Sequence, residues 1–398
     1  MKYIPLDKVG TGHSGYQQQV KEANIKHIFD LVRSGRCKSR AEIVRYMNLS
    51  ATSVSVLVEE LSERGLIDET GPAQTSQPGR RPISLRLNSD AHQLAVFSLQ
   101  PKGVRYALFN LDCNIIESRF YALDAATLTG ETAGAAYARL FEDVLKRRSK
   151  KFDAARALMA GITFPGVYIE RDHMLHTAPT LGFSLQEEDV RRFQQRVNLP
   201  IYLLNNTRSR AYAEKKRLER DDPDAQDVED LLFIQIQEDI RSAIIADGDL
   251  YTGPYNVSGE IGHFTIDYNG RPCSCGNTGC LERYASARGL VLSFNELTES
   301  GAFDPSELGD IAPRDETDAL SVFDAFEAGD PRAKRAIELM VDKLAFALAQ
   351  VACVIDPELI LIGGGIANGS QHYLNSLRTT YRRYCLGPCA SAEIRMAS

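Results

Sequence analysis

The feature that most constrains this chain is a group of one histidine and three cysteines within 18 residues. His263, Cys273, Cys275 and Cys280 follow the spacing H-x9-C-x-C-x4-C, with Gly and Asn between the last two cysteines. Three thiolates and one imidazole form a closed tetrahedral set, which is typical of a structural Zn²⁺ site rather than a catalytic one with an open position. The alternative is a few free, buried thiols. We predict zinc as the cofactor, bound by these four residues.

The cysteine usage also indicates a compartment. Eight cysteines in 398 residues do not indicate a disulfide framework, and three of them crowd into residues 273–280. This pattern indicates metal binding in a reducing environment, so we predict a cytoplasmic protein. The first residues lack the apolar segment of a secretory signal, and no run approaches the roughly 18–20 apolar residues of a membrane span. We therefore expect no membrane partner.

The charge is unevenly distributed along the chain. The whole sequence has a net charge of −7, but residues 1–90 hold 13 Lys and Arg against 10 Asp and Glu. This segment is therefore +3 and the remainder is −10. The asymmetry indicates a small basic module joined to a larger acidic one. Residues 70–82 are rich in Pro, Gly, Ser and Thr, so we predict a boundary nearby and two domains, 1–88 and 89–398.

The first 88 residues predict three helices and a two-stranded wing. Apolar residues recur at helical spacing from Val20 to Val32, Ser39 and Glu42 form a capping box, and Ser50 caps a third helix. The second and third helices are separated by a tight turn, which is the arrangement of a winged helix-turn-helix. We predict that this module binds operator DNA. The alternative is a generic three-helix cap.

Candidate DNA contacts lie on the third helix and in the wing loop. Small polar side chains at a helix N-terminus allow close approach to phosphates and bases, and arginines held extended between prolines suit the minor groove. The candidates are Ser50, Thr52, Ser53, Ser55, Arg80 and Arg81. The third helix has no Lys or Arg before Arg64, so base readout would depend on Thr, Ser and apolar groups.

After residue 90 the pattern changes to alternating strands and helices. Strands predicted at 94–100, 104–111 and 115–123 precede an alternation of helix and strand that reaches residue 237. A second group of strands is expected over 240–266, and helices dominate 284–355. A buried strand then ends in a glycine turn. We predict an α/β fold with two lobes around a cleft.

Two glutamates flank the predicted metal site. Glu260 lies three residues before His263, and Glu282 lies two residues after Cys280. A bound ion would fix both carboxylates, and carboxylates and imidazoles are usual partners of sugar hydroxyls because they accept or donate directionally. The second ring nitrogen of a metal-bound histidine could donate to the same ligand. The alternative is a pair of solvated surface glutamates.

Residues 258–286, SGEIGHFTIDYNGRPCSCGNTGCLERYAS, closely resemble the signature of the ROK family of repressors, open reading frames and sugar kinases. The resemblance continues through residues 161–183, 203–214 and 355–366 and, with the winged helix in front, covers nearly the whole chain. It implies a two-lobed, actin-like sugar-kinase domain of the ribonuclease H-like class. It also implies a set of sugar contacts: Asn205, Glu260, His263 and Glu282.

Three departures from the family's kinases favour a sensor. The kinases have an Asp base where this chain has Asn206, and an amide cannot accept a hydroxyl proton near neutral pH. Residues 91–111 match the kinases' acidic phosphate turn, yet they contain no acidic residue. Residues 237–239, Gln-Glu-Asp, replace a Gly-Thr-Gly-like hairpin, and their carboxylates would repel a triphosphate. We interpret the glycines at 363–365 as a structural turn.

We therefore predict a sugar-responsive transcriptional regulator, more specifically a repressor of carbohydrate-utilisation genes, without enzyme activity. The expected partners are operator DNA, a sugar or sugar-phosphate effector, and further copies of the chain in a homodimer or dimer of dimers. The alternatives are an active ATP-dependent sugar kinase with an accessory N-terminal domain and a regulator that binds only proteins. The resemblance also implies a final helix after residues 392–398, where this sequence ends, so we expect either a sequence cut short there or a protein without this closing element.

Overall fold

A computed structural model describes residues 13–72, 83–100, 103–123, 133–169, 174–177, 187–225, 227–304, 308, 318–365 and 371–397. The chain separates into two compact units, which meet in sequence at Asn206 and Thr207. Each unit contains a five-stranded sheet with helices, so the predicted α/β class is confirmed. The predicted boundary after residue 88 lies in the short connection between two strands, and the assignment of 1–88 and 89–398 as domains stays a prediction.

The first unit begins with the predicted three helices and two-stranded hairpin. These elements are α1 (His13–Arg33), α2 (Arg40–Met47), α3 (Ala51–Glu63), β1 (Ile67–Pro72) and β2 (Ile83–Leu87). The hydroxyls of Ser39 and Ser50 cap α2 and α3, because they accept from the backbone N–H of Glu42 at 3.3 Å and Ser53 at 3.0 Å. The inner faces of the three helices share an apolar core of their own, which holds this module together.

The rest of the first unit is a mixed sheet flanked by helices. In sheet order its strands are β5 (Ile115–Ala122), β4 (Gly103–Asn110), β3 (Gln93–Gln100), β6 (Ala157–Phe164) and β9 (Ile201–Asn205). The other described elements are α4 (Ala133–Asp143), β7 (Val167–Ile169), β8 (Met174–Thr177) and α5 (Glu187–Val197). Since β3, β6 and β9 run parallel, their carboxyl ends share one edge of the sheet. Asn205, a predicted sugar contact, lies at that edge.

The second unit is built on another five-stranded sheet. In sheet order its strands are β12 (Asp249–Tyr251), β11 (Ile240–Ala246), β10 (Leu231–Ile236), β13 (Leu359–Gly363) and β14 (Glu393–Met396). The helices are α6 (Asn206–Asp221), α7 (Glu282–Ala285), α8 (Ala287–Glu299), α9 (Ala319–Glu327), α10 (Pro331–Ile355) and α11 (Gln371–Tyr384). The central strands β10 and β13 are buried almost throughout, and α10 contributes a long buried face, so the core lies between them.

Two predictions in the second unit have different outcomes. The expectation of strands over 240–266 is wrong beyond Tyr251, because turns at Asn256 and Gly259 and the 3-10 turn Ile261–His263 replace them. The glycine turn after β13 is present. Gly364 has a φ of +105°, and a Cβ there would clash with the carbonyl oxygen of a residue in β10. Close packing of the two strands therefore explains this glycine without a nucleotide.

The described helices also bear on membrane association. None of the helices within the described ranges is long and apolar enough to cross a lipid bilayer. The longest, α10, has 25 residues, but charged side chains are spread along its first half. This finding leaves the predicted cytoplasmic location as a prediction.

Candidate functional site

The four predicted metal ligands come together in the second unit. His263 ends the 3-10 turn, and the three cysteines follow on the next loop. Their ligand atoms all lie within 4.8 Å of one another. The sulfur of Cys273 lies 3.8 Å from Nδ1 of His263, and the sulfurs of Cys275 and Cys280 are 3.6 Å apart. This group, called here the Cys/His cluster, confirms the predicted grouping.

The spacing of the Cys/His cluster fits a tetrahedral ion. Nitrogen and sulfur ligands bound at about 2.0–2.3 Å in a tetrahedron lie roughly 3.3–3.8 Å from one another. The separations of 3.8 Å and 3.6 Å match this spacing. The limit of 4.8 Å that encloses all four ligand atoms exceeds it by about 1 Å. Four donors also fill all four positions of a tetrahedral ion. The cluster therefore fits a structural metal site with no open position for chemistry.

Tight turns bring the cysteines together. The backbone N–H of Cys273 donates to the carbonyl of Asn277 at 2.8 Å, which closes a short loop around Cys275. Gly279 has a φ of +72°, and a Cβ there would clash with the carbonyl oxygen of Asp267. A side chain at this position would therefore be both strained and obstructed. The Gly and Asn residues of this loop are needed for the chain reversal.

The thiols of the Cys/His cluster differ in their surroundings. Cys280 is fully buried, and burial raises the pKa of its thiol to about 12. Burial also raises the pKa of Cys273. The pKa of the exposed Cys275 is lowered, because the effect of burial there is outweighed by hydrogen bonds from the backbone of Asn277 and from the neighbouring thiols. A low-dielectric site of this kind disfavours free thiolates. Since metal binding requires thiolates, a cation is the group that would stabilise them here, which agrees with the metal assignment.

Glu260 is held between two glycines that pack against the main chain of β11. A Cβ on Gly259 would lie 2.8 Å from the carbonyl oxygen of Ser242, and a Cβ on Gly262 would clash with that of Ile240. Only glycine permits so close an approach between two segments of backbone. The glycines therefore fix the position of Glu260 and Ile261 relative to β11.

A buried arginine that the sequence analysis missed lies close to Glu260. Burial raises the pKa of Glu260, while the charges of His263 and Arg208 act in the opposite direction. Arg208 lies in the first turn of α6 and is 8% exposed. Its Nη2 donates to the carbonyl oxygens of Asn256 at 2.8 Å and Ser258 at 3.2 Å. Arg208 thus holds the segment that leads into Glu260.

Glu282 begins α7 and adjoins the Cys/His cluster. Its side chain is 13% exposed, and its Oε1 accepts a hydrogen bond from the thiol of Cys273 at 3.0 Å. The same oxygen lies 3.8 Å from Nδ1 of His263. Because Nδ1 is directed at the cluster, Nε2 is the ring nitrogen that can serve a ligand. Glu260 is also partly buried, so the alternative of two solvated surface glutamates is wrong.

Asn205, the fourth predicted sugar contact, belongs to the first unit, whereas the other three belong to the second. Its side-chain Nδ2 donates to the carbonyl of Gly166 at 2.8 Å. The next residue, Asn206, begins α6, and its Oδ1 is buried without a hydrogen-bond partner among the described residues. The structure therefore groups three of the four predicted sugar contacts within one unit.

The hairpin between β10 and β11, residues 237–239, carries its carboxylates in ion pairs. Asp239 lies 2.6 Å from the guanidinium of Arg241, and Glu238 lies 3.9 Å from that of Arg288. The backbone N–H of Gln237 donates within the turn, to the carbonyl of Asp239 at 2.9 Å. An internally bonded N–H and two carboxylates are a poor cradle for phosphate.

The predicted DNA contacts on α3 differ in their surroundings. The hydroxyl oxygens of Ser50 and Ser53 lie 2.8 Å apart, so these two side chains are engaged with each other. Thr52 is exposed, and Ser55 is half-buried. A hydroxyl that already caps the helix is less available to a base. Of the four, Thr52 is therefore the side chain best placed to contact a partner.

The wing has the predicted antiparallel pairing, with Ile67 opposite Leu87. Its connecting loop contains Arg80 and Arg81, which lie outside the described residues. Both arginines therefore stay predicted minor-groove contacts.

Residues 104–398 match the sequence model of the ROK family, which is well over half of the chain. The chain belongs to the ROK family. It is 27% identical over 366 residues to the xylose repressor of Caldicellulosiruptor bescii, covering 92% of this chain and 88% of that protein. It is 25% identical over 374 residues to the DNA-binding transcriptional dual regulator NagC of Escherichia coli K12, covering 93% and 87%.

Two solved structures show the same fold. A ROK family transcriptional regulator, described as a homologue of the E. coli MLC protein, gives a TM-score of 0.76 at 24% identity and covers 95% of this chain and 91% of its own. A ROK family glucokinase from Streptomyces griseus gives 0.59 at 22% identity and covers 77% and 94%. The predicted winged helix-turn-helix followed by a sugar-kinase-like domain is confirmed.

The two kinds of ROK protein match different lengths of the chain. The relatives aligned over more than nine-tenths of it are named as repressors and a transcriptional regulator, whereas the kinase leaves almost a quarter uncovered. The chain is a ROK transcriptional regulator rather than a sugar kinase, as the departures at residues 206 and 237–239 predict.

Proposed function

We propose that this regulator represses carbohydrate-utilisation genes and is released by a sugar that its ROK domain binds but does not phosphorylate. The observation that carries the proposal is a contrast within the second unit. Glu260 and Glu282 lie near His263 of the Cys/His cluster, whereas the hairpin 237–239 presents two carboxylates. A sugar would meet directional donors and acceptors, whereas a triphosphate would meet carboxylates paired with arginines and a backbone N–H that is already bonded within the turn. Relatives named xylose repressor and N-acetylglucosamine repressor support a saccharide effector.

A structural Zn²⁺ is the ion that suits the Cys/His cluster. His263, Cys273, Cys275 and Cys280 would hold it, because three thiolates and an imidazole match the ligands that zinc prefers. The bound ion would supply rigidity and no reaction chemistry. Its effect on function would be to fix Glu282 and the ring of His263 where a ligand can reach them.

The sugar would be recognised through hydrogen bonds from residues of the second unit, namely Glu260, Glu282 and Nε2 of His263. Asn205 of the first unit stays a predicted sugar contact. Carboxylates accept from sugar hydroxyls, while the amide and the imidazole N–H donate to them. Partial burial strengthens each bond because water competes less.

The DNA would be bound by the winged module of a homodimer or dimer of dimers. The proposed contacts are Ser50, Thr52, Ser53, Ser55, Arg80 and Arg81. Two copies of the module suit a pseudo-palindromic operator with half-sites about one helical turn apart. Sugar binding would shift the population towards an arrangement that misplaces the modules, with a coupling of about 1–3 kcal/mol.

The test uses one preparation of full-length protein for three measurements. Calorimetry should detect binding of a saccharide from a panel that includes xylose, N-acetylglucosamine and their phosphates. The same saccharide should weaken binding to a duplex selected by the protein from a random pool, and binding should fall steeply with salt. ATP should not be consumed with any sugar. Saccharide binding that leaves DNA affinity unchanged would contradict the proposed sensor.

A further inference from the structure

The outward face of α3 contains an exposed valine that the module's core does not use. Thr52, Val56 and Glu59 are exposed and are spaced four and three residues apart, so they form one stripe along the helix. Val56 is 54% exposed, while Val54 and Val58 on the opposite face are fully buried. We call residues 52, 56 and 59 the α3 stripe.

The composition of α3 excludes the usual readers of purines. Guanine is read in the major groove by Arg or Lys and adenine by Asn or Gln, each through paired hydrogen bonds. The helix sequence, ATSVSVLVEELSE, contains none of these four residue types. Arg64 follows the helix but forms an ion pair with Glu60. The remaining options are apolar contact with the thymine methyl group and single hydrogen bonds, such as one from cytosine N4 to a carboxylate.

Neighbouring contacts hold the α3 stripe in a fixed position. Arg40 of α2 donates to the backbone carbonyl of Ser55 at 3.1 Å and to the carboxylate of Glu69 in β1 at 2.9 Å. The cap at Ser50 fixes the start of the helix. One arginine thus links α2, α3 and the wing. A helix held in this way is already ordered before it binds, so binding costs little conformational entropy.

We propose that Val56, together with the methyl group of Thr52, reads thymine in the operator through the 5-methyl group of the base. This readout rests on the proposed function, because α3 must be the helix that enters the major groove. Burial of one methyl group between apolar atoms changes an affinity by about fourfold. Glu59, one turn further along the stripe, offers an acceptor that suits cytosine. The helix therefore favours a pyrimidine-rich strand.

The experiment begins with a random duplex pool from which the full-length protein selects its preferred site. Each thymine of that site is then replaced by deoxyuridine, which keeps base pairing and removes only the 5-methyl group. The wild-type protein should lose about fourfold in affinity at one or two positions of each half-site. Val56→Ala should bind the unmodified site more weakly and lose nothing further at the position beneath residue 56, because one contact is removed only once.

Two further variants separate the readout from a general effect on the helix. Val20→Ala is the matched control, because Val20 is a 42% exposed valine on α1 of the same module. It should respond to deoxyuridine as the wild type does. Val56→Thr keeps the branched shape and one of the two methyl groups, so it should retain part of the response.

Each outcome decides the proposal. A deoxyuridine effect that disappears only in Val56→Ala supports it. A selected site that is indifferent to deoxyuridine, or equally sensitive in Val56→Ala, overturns the methyl readout while DNA binding stands. If the wild-type protein selects no duplex, DNA binding itself fails and the readout fails with it.

Discussion

Two regions border β11 in the second unit, and their chemistry is opposite. Residues 259–263 pack two glycines on the main chain of the strand and carry Glu260 and His263, which suit hydroxyl groups. Residues 237–239 lead into the same strand with two carboxylates held by arginines, which oppose phosphate. One strand therefore adjoins both the proposed sugar-binding region and a hairpin unsuited to ATP. The difference teaches that recognition and phosphoryl transfer are separable in this fold.

The largest effect on the proposed sugar-binding region should come from loss of the ion proposed to bind the Cys/His cluster. Cys275→Ser should remove most of the roughly one zinc per chain and destabilise the protein by about 4 kcal/mol or more, the range typical of a lost metal. Metal analysis and thermal unfolding measure both quantities. Cys113→Ser is the control, since Cys113 is exposed and outside the Cys/His cluster. Wild-type protein that melts identically with and without a chelator would contradict the assignment.

The next effect should separate the two regions directly. Glu260→Gln should weaken sugar binding by about 10- to 100-fold, because a hydrogen bond to a charged group contributes about 1.5–3 kcal/mol. Glu238→Gln is the matched control in the hairpin, where the side chain is 74% exposed. Calorimetry with the sugar found in the panel measures both affinities. Equal losses in the two variants would show that the regions do not differ in the way proposed.

A smaller effect should follow from loosening the support of Glu260. Arg208→Lys keeps a positive charge but loses the planar guanidinium, whose Nη2 reaches both carbonyl oxygens. We expect sugar binding to weaken by about 3- to 10-fold, the value of one or two ordinary hydrogen bonds. Arg220→Lys on the same helix is the control, since Arg220 is 49% exposed. Zinc content should not change, and a loss of zinc would mean that Arg208 supports the loop generally.

The smallest effect should come from restoring the missing base. Asn206→Asp should give no ATP turnover, because the hairpin 237–239 would still oppose the phosphates. A base alone contributes about 10²–10⁴-fold and needs a positioned substrate to act on. A coupled ATP assay across the sugar panel measures this. Sustained turnover near 1–100 per second, about the rate of ordinary kinases, would show that the hairpin does not exclude ATP.

Much of the architecture could be predicted because local patterns agreed with the packing. Helical spacing and two serine caps located the first three helices, and the H-x9-C-x-C-x4-C spacing located the Cys/His cluster. The strands expected beyond Tyr251 failed for a physical reason. Residues 252–266 form turns around the cluster, and within the described ranges their extended pairing is limited to an isolated bridge between Thr265 and Cys280. Turn formation around the Cys/His cluster outweighed local alternation.

Arg208 could not be predicted from residue type, because charged side chains are rarely buried. The helical period does contain a signal, since Arg208, Ala211, Lys215 and Leu218 share the buried face of α6. Reading that face requires knowing which side of the helix packs inward, and the polar composition of α6 conceals it. The contacts of Arg208 with backbone carbonyls leave no trace in the sequence of the segment it holds.

The glycines at 259 and 262 lie against main-chain oxygens of β11, and both oxygens belong to groups that every residue type possesses. The side chains of the hairpin 237–239 can therefore be exchanged during evolution without displacing Glu260. Ser242 of the strand is constrained, because its hydroxyl also donates to the carbonyl of Gly259. Successive mutations could therefore remove the residues that serve phosphate while the residues proposed to bind sugar stayed functional at every step. This geometry offers a gradual historical route from an enzyme to a receptor.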